Sequence, residues 1–283
     1  MRFILKFLLF GICAFGVARF CKAQTGSFTI ARMTSNLKPN PRWDVAPLPS
    51  QEQAEIKKIL SQPYKFLGRG AQSYVFASED GQYVIKFFRY HHLQAPLHLK
   101  LLPFEWAKRK AARKDFKLIK DFNSYKIAYE MLKEETALVY LHLNKTNDLN
   151  ITMDLIDNLG IHYQIPLDQH EFLVQRKAVL FYDALDQMIS ENRIEDGKAA
   201  LTNLVNLLVQ RIQKGVYDKD PDINTNFGAI GTRAVEIDAG RFSLKPRKLW
   251  YKEIIRITDN LHQWLMVRCP ELDAHLKAQV ENL

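Results

Sequence analysis

The stretch Lys214–Phe242, KGVYDKDPDINTNFGAIGTRAVEIDAGRF, packs hard oxygen donors closely together. Asp218, Asp220, Asp222, Asn224 and Asn226 share a polar loop; two short apolar runs follow, then Asp238-Ala239-Gly240. Magnesium suits such a set, because it keeps several waters and takes one or two protein carboxylates beside phosphate oxygens. Asp, Asn, Pro and Gly are also ordinary turn residues, so the loop alone does not decide between a site and a turn.

The flanking pattern says how these donors would be held. Phe181–Asn192 and Glu195–Lys214 read as amphipathic helices, the second stopped by Gly215. Phe227–Ile230 and Ala234–Ile237 read as two short strands. Twelve residues separate Asn226 from Asp238, enough for a tight hairpin that returns both to one place. Upstream, Tyr64–Phe88 reads as three antiparallel strands, with turns at Gly68-Arg69-Gly70-Ala71-Gln72-Ser73 and Glu79-Asp80-Gly81-Gln82. Glycines at 68 and 70 let the backbone approach a ligand, and successive amides can cradle phosphate oxygens. Lys86 lies within the third strand among Val84, Ile85, Phe87 and Phe88; it either faces outward or needs a partner. Asp121–Leu143 reads as a helix in which Glu135 falls inside the apolar arc and Glu134 at its border. A buried glutamate wants a cation.

In this order the residues resemble the protein-kinase-like superfamily: a glycine-rich loop, a V-I-K strand lysine, a helix glutamate, a hinge, an aspartate loop and a D-x-G turn. The resemblance covers Tyr64–Phe242, with Ser73 in place of the third glycine. It implies an α+β, two-lobed fold with a short C-terminal lobe. It implies ATP bound by Gly68, Gly70, Ser73, Lys86 and the hinge at Val174–Lys177. Glu135 would pair with Lys86, with Glu134 as second choice. Asp220 would be the base, and Mg2+ would sit on Asp238 and Asn226, with Asn224 as rival. Phosphoryl transfer depends mostly on positioning and charge, so such a set would suffice for an unknown acceptor. Asp218-Lys219 replaces His-Arg, Ala239 replaces the D-F-G phenylalanine, and only 43 residues follow Gly240 without an A-P-E segment. A pseudokinase or interaction module is therefore the alternative.

The organisation read from composition is a signal peptide or anchor at 1–23, a proline-bearing linker at 24–50, and a kinase-like domain at 51–283. That domain divides into a small lobe, 51–175, and a large lobe, 176–283. The opening MRFILKFLLFGICAFGVARFCKAQ has a basic start and an apolar run. It implies export or membrane association, or a cytoplasmic protein if translation starts at Met33. Three cysteines, two of them in that opening, make no disulfide framework or CxxC metal pair. The net charge of +9 is concentrated in 89–120, where nine lysines and arginines face two acids. Phe104–Ile119 reads as a basic helix, either a solvated face or a dock for anionic lipid or an acidic protein. Aromatic interleaving that would favour nucleic acid is not evident, and no nucleic-acid partner is expected.

Overall fold

Alternation and glycine turns produce strands where the pattern calls for them, and the structure, a computed structural model, describes residues 2–245 and 250–283. It is a mixed α+β chain that divides into two compact units, residues 1–115 with 142–173, and residues 116–141 with 174–283.

In the first unit, α1 (Arg2–Gln24), α2 (Ile30–Met33) and α3 (Ser50–Leu60) precede a meander of β1 (Tyr64–Arg69), β2 (Ser73–Ser78) and β3 (Tyr83–Phe88). The meander is antiparallel, with a register shift between Phe66 and Gly68. Short helices α4 (Tyr90–Leu93) and α5 (Leu97–Leu101) lead to the long helix α6 (Glu105–Met131), then to β4 (Leu138–His142), β5 (Thr152–Ile156), β6 (His162–Pro166) and β7 (Phe172–Arg176). β1 pairs in parallel with β5, which pairs antiparallel with β6. The seven strands form one sheet in the order β4-β7-β3-β2-β1-β5-β6. The chain passes from unit to unit within α6, β4 and β7.

Two expectations change here. Residues 24–50 are not a free linker. Phe28 packs edge-on against Tyr74, Phe76 and Tyr163, Met33 is fully buried, and Ser35 donates to buried Glu171 at 2.7 Å. The segment has no period because it binds through single anchors rather than a continuous face. The basic helix and the helix expected at 121–143 are one helix, α6, ending at Met131. A turn follows, in which Ala137 adopts φ 51°, and Leu138-Val139-Tyr140 becomes a strand. β-branched and aromatic residues fit a pleated surface, and that preference prevails there over the helical reading.

In the second unit, β8 (Val179–Leu180) precedes α7 (Phe181–Ser190) and α8 (Ile194–Gln213). Then come β9 (Val216–Asp218), α9 (Ile223–Asn226), β10 (Phe227–Ile230), β11 (Arg233–Glu236), β12 (Phe242–Leu244), α10 (Trp250–Arg268) and α11 (Pro270–Glu281). Its core joins Phe181 and Leu185 of α7, Leu204 and Leu208 of α8, Leu261 and Leu265 of α10 and Leu272 of α11. A Cβ at Gly197 would lie 2.9 Å from Leu272, so the glycine lets α8 and α11 approach closely. Gly215 takes φ 71° just past α8, the left-handed stop that glycine adopts without strain.

Candidate functional site

Two small pairings assemble the oxygen donors in the second unit. β10 and β11 form a hairpin in which Phe227 faces Glu236, so the residues flanking it, Asn226 and Ile237, meet. The Asn226 carbonyl accepts from the Ile237 amide at 2.7 Å and from the Asp238 amide at 3.3 Å. β9 pairs with β12, placing Asp218 opposite Phe242. Asp220 therefore leaves β9 at the end where Asp238-Ala239-Gly240 leads into β12.

Within this arrangement Asn226 is half-buried, and its Nδ2 donates to the Asp220 carbonyl at 2.6 Å. Its Oδ1 accepts from the Thr225 hydroxyl at 3.2 Å. Asp238 is also half-buried, with Oδ1 accepting from the Gly240 amide at 3.1 Å and from the Tyr125 hydroxyl at 3.4 Å. Among the described residues no three His, Cys, Asp or Glu gather in a group that could hold a metal ion. Asp220 is exposed, 4.0 Å from the Arg241 guanidinium. Asp222 caps α9, accepting from the Asn224 amide at 3.1 Å. The Asn224 side chain lines an open groove of about 680 Å³ with Tyr182, Asp183, Asp222 and Trp264. Asn226, not Asn224, is the asparagine joined to Asp238.

Helix α6 pins the D-x-G turn. Ser124, fully buried, donates to the Ala239 carbonyl and accepts from the Phe242 amide, both at 2.5 Å. One turn earlier lies Asp121, buried, with Oδ2 lacking any hydrogen-bond partner. Burial pushes its carboxyl up to about 7; Asp238 adds to the rise, while Lys117 and Arg241 oppose it. Sequence reading missed both residues. Their signal was helical spacing, since an acid and a serine share the apolar face of Leu118, Phe122 and Tyr125.

Buried charge accumulates behind the loop. Arg211 of α8 is fully buried and donates from Nη1 to both oxygens of Glu236 at 2.7 Å, with Asp218 Oδ2 at 3.9 Å. Desolvation raises the carboxyls of Glu236 and Asp218 while Arg211 pulls both down. Asp218 Oδ1 accepts from the Asp220 amide at 3.0 Å, so the buried acid shapes the loop carrying the exposed one.

Glu135 lies in the turn after α6, and its Oε1 accepts from Lys214 Nζ, which also donates to the Met131 carbonyl. The cation that the structure gives Glu135 is thus Lys214, drawn to a helix C-terminus and a carboxylate together. Glu134, the second choice, is exposed and 3.0 Å from Arg233.

In the first unit, Gly68 and Gly70 flank the β1–β2 turn. Neither has a positive φ, and a Cβ at Gly68 would meet nothing within 4 Å. The Gly70 amide, however, donates to the Ser73 carbonyl at 2.9 Å, which closes the hairpin and removes that amide from a phosphate cradle. Arg89, missed in the sequence, straps the turn: its Nη1 donates to the Gly70 carbonyl at 2.6 Å while its guanidinium lies 5.2 Å over Tyr74. Lys86 stands opposite Val75 and is half-buried, between fully buried Ile85 and Phe87. Ser73 and Val174 are buried in β2 and β7.

No protein-family model and no curated protein matches this chain. Among solved structures it is similar to the bifunctional kinase-methyltransferase WbdD, at 16% identity and a TM-score of 0.36 over 74% of this chain and 43% of that one. WbdD in complex with the kinase inhibitor LY294002 gives 18% identity and a TM-score of 0.38 over 76% of this chain and 44% of that one. Rv3197 of Mycobacterium tuberculosis, in complex with erythromycin, gives 11% identity and a TM-score of 0.32 over 92% of this chain and 75% of that one. The chain spans under half the length of the WbdD chains it matches.

Proposed function

We propose that the chain is an atypical kinase-like protein that binds ATP and magnesium and transfers the γ-phosphoryl group to an acceptor not yet identified. The reading rests on the chain's own residues rather than on the structural likenesses. The observation that supports it is the backbone junction of Asn226 with Asp238, which brings the two residues together at the ends of one hairpin. Asp238 and Asn226 would hold the metal, whose contribution is to neutralise charge on the phosphates. Asp220, exposed on the same loop, would accept the acceptor's proton. Lys86, Gly68, Ser73 and the Val174 backbone would contact the nucleotide, and Gly70, whose carbonyl and amide are engaged in the turn, would shape the loop over it.

A pseudokinase reading has one observation in its favour: Asp220 lies beside Arg241, a cation that would compete with a substrate proton for its carboxylate. Calorimetry of ATP binding with and without Mg2+ tests the ligand part. Magnesium-dependent binding that Asp238→Ala abolishes is expected; no binding, or binding indifferent to the substitution, overturns both nucleotide readings. Asp220→Asn separates them, because it stops turnover in an enzyme while leaving nucleotide binding in place. For a chain whose apolar helix α1 contains a span, Lys6–Gln24, long enough to cross a bilayer, we propose membrane association, with cleavage of that span decided by the mature N-terminus.

A further inference from the structure

We propose that the N-terminal part of α6, with the loop that enters it, is a docking surface for anionic phospholipid. α6 buries Ala107 and Ala111 on one side, packed with Ala95 and Leu99. At 100° per residue, Trp106, Arg109, Lys110 and Arg113 form a single stripe on another side. Trp106 is 57% exposed, Phe104 is 55% exposed and Leu101 is 73% exposed. Lys108 and Lys100 are engaged by Glu105 and Asp115, but among the described residues Arg109, Lys110 and Arg113 face no carboxylate. An exposed aromatic and aliphatic edge beside uncompensated cations matches the interface of a negatively charged leaflet, where rings enter the headgroup boundary and cations meet lipid phosphates.

Two observations favour lipid over other anions. Phe104 and Trp106 stack on each other, centroids 6.2 Å apart and planes 10° apart, so each ring already covers a face that a nucleic-acid base would need. The same unit carries α1, whose apolar span has none of its surface buried, and a bilayer contact sustained by two elements is far more durable than by one. An acidic protein would use the cations but has no evident need of the apolar edge. The inference does not depend on phosphoryl transfer.

The test uses the full chain in vesicles of brominated phosphatidylcholine, with and without phosphatidylserine, reading the fluorescence difference between wild type and Trp106→Phe. Trp106 emission should shift to the blue and be quenched in the anionic vesicles but not the neutral ones. Arg109→Glu/Lys110→Glu/Arg113→Glu should abolish that quenching while the protein stays vesicle-bound, with circular dichroism confirming its fold. Equal Trp106 quenching in both vesicle types, or none in either, overturns the proposal. Protection of Trp106 from acrylamide by polyglutamate or a single-stranded oligonucleotide, but not by anionic vesicles, would overturn it in favour of that partner.

Discussion

Asp218 and Asp220 stand two residues apart in one loop, yet they do different work. Asp218 is fully buried beside Arg211 and Glu236, and its remaining oxygen organises the loop backbone. Asp220 is exposed, its carboxylate 4.0 Å from the Arg241 guanidinium. The same contrast separates Glu236 from Asp238 across β11. Both oxygens of the Glu236 carboxylate accept from the one Nη1 of Arg211, while Asp238 is half-buried next to Asn226. The split follows the strand ends: Asp218 and Glu236 close β9 and β11 inside the core, while Asp220 and Asp238 lie two residues on, past the last paired position. A buried acid with its cation fixed can shape a site, and the open acids are the ones able to meet a ligand.

The comparison breaks most severely at Arg211. Arg211→Met leaves two buried carboxylates without their cation and should cost on the order of 3–5 kcal/mol in urea unfolding, if the protein folds at all. A loss below about 1 kcal/mol would mean that the buried set is no network.

Asp121 sharpens the contrast because it is buried without a dedicated cation. Its folded carboxyl titrates near 7, above the unfolded value, so the folded state favours the protonated form. Stability is then fully present at acidic pH and falls as pH rises through about 7, by up to about 4 kcal/mol across the window. Asp121→Asn should flatten that dependence and stabilise the protein at pH 8 relative to wild type; unchanged slopes in paired unfolding curves would contradict it.

Ser124→Ala removes the hydroxyl that joins the Ala239 carbonyl to the Phe242 amide and should cost about 2 kcal/mol, the penalty of buried groups left unpaired. Hydrogen exchange at the Phe242 amide should accelerate with it. Asp238→Ala, in the open set, should change unfolding free energy by about 1 kcal/mol, since the position is partly exposed and loses one local amide bond and a long bond from the Tyr125 hydroxyl.

The sequence made legible what rests on local pattern. The Tyr64–Phe88 meander, the hairpin joining Asn226 to Asp238, and the helices ending at Ser190 and Gln213 all carry their own period or stop residue. What it hid depends on distant contacts. Phe28 and Ser35 hold an aperiodic segment in place through single side chains, and β9 and β12 are too short to show a period. Glu135 looked helical because Leu138–His142 is apolar, and only the turn at Ala137 separates a strand from a helix there. Asp121 and Arg211 gain their meaning from burial, which no spacing rule assigns. Asn226 is the first choice in the sequence with Asn224 as its rival, and it is the Asn226 carbonyl that accepts from the Ile237 and Asp238 amides.

The most direct test of the open set is electron paramagnetic resonance of Mn2+, standing in for Mg2+, titrated with ATP into wild type, Asp238→Ala, Asn226→Ala and Asn224→Ala. The account predicts a protein-bound Mn2+–ATP signal in wild type and Asn224→Ala that is lost in Asp238→Ala and Asn226→Ala. A bound signal that survives in Asp238→Ala, or that disappears in Asn224→Ala while persisting in Asn226→Ala, would contradict it.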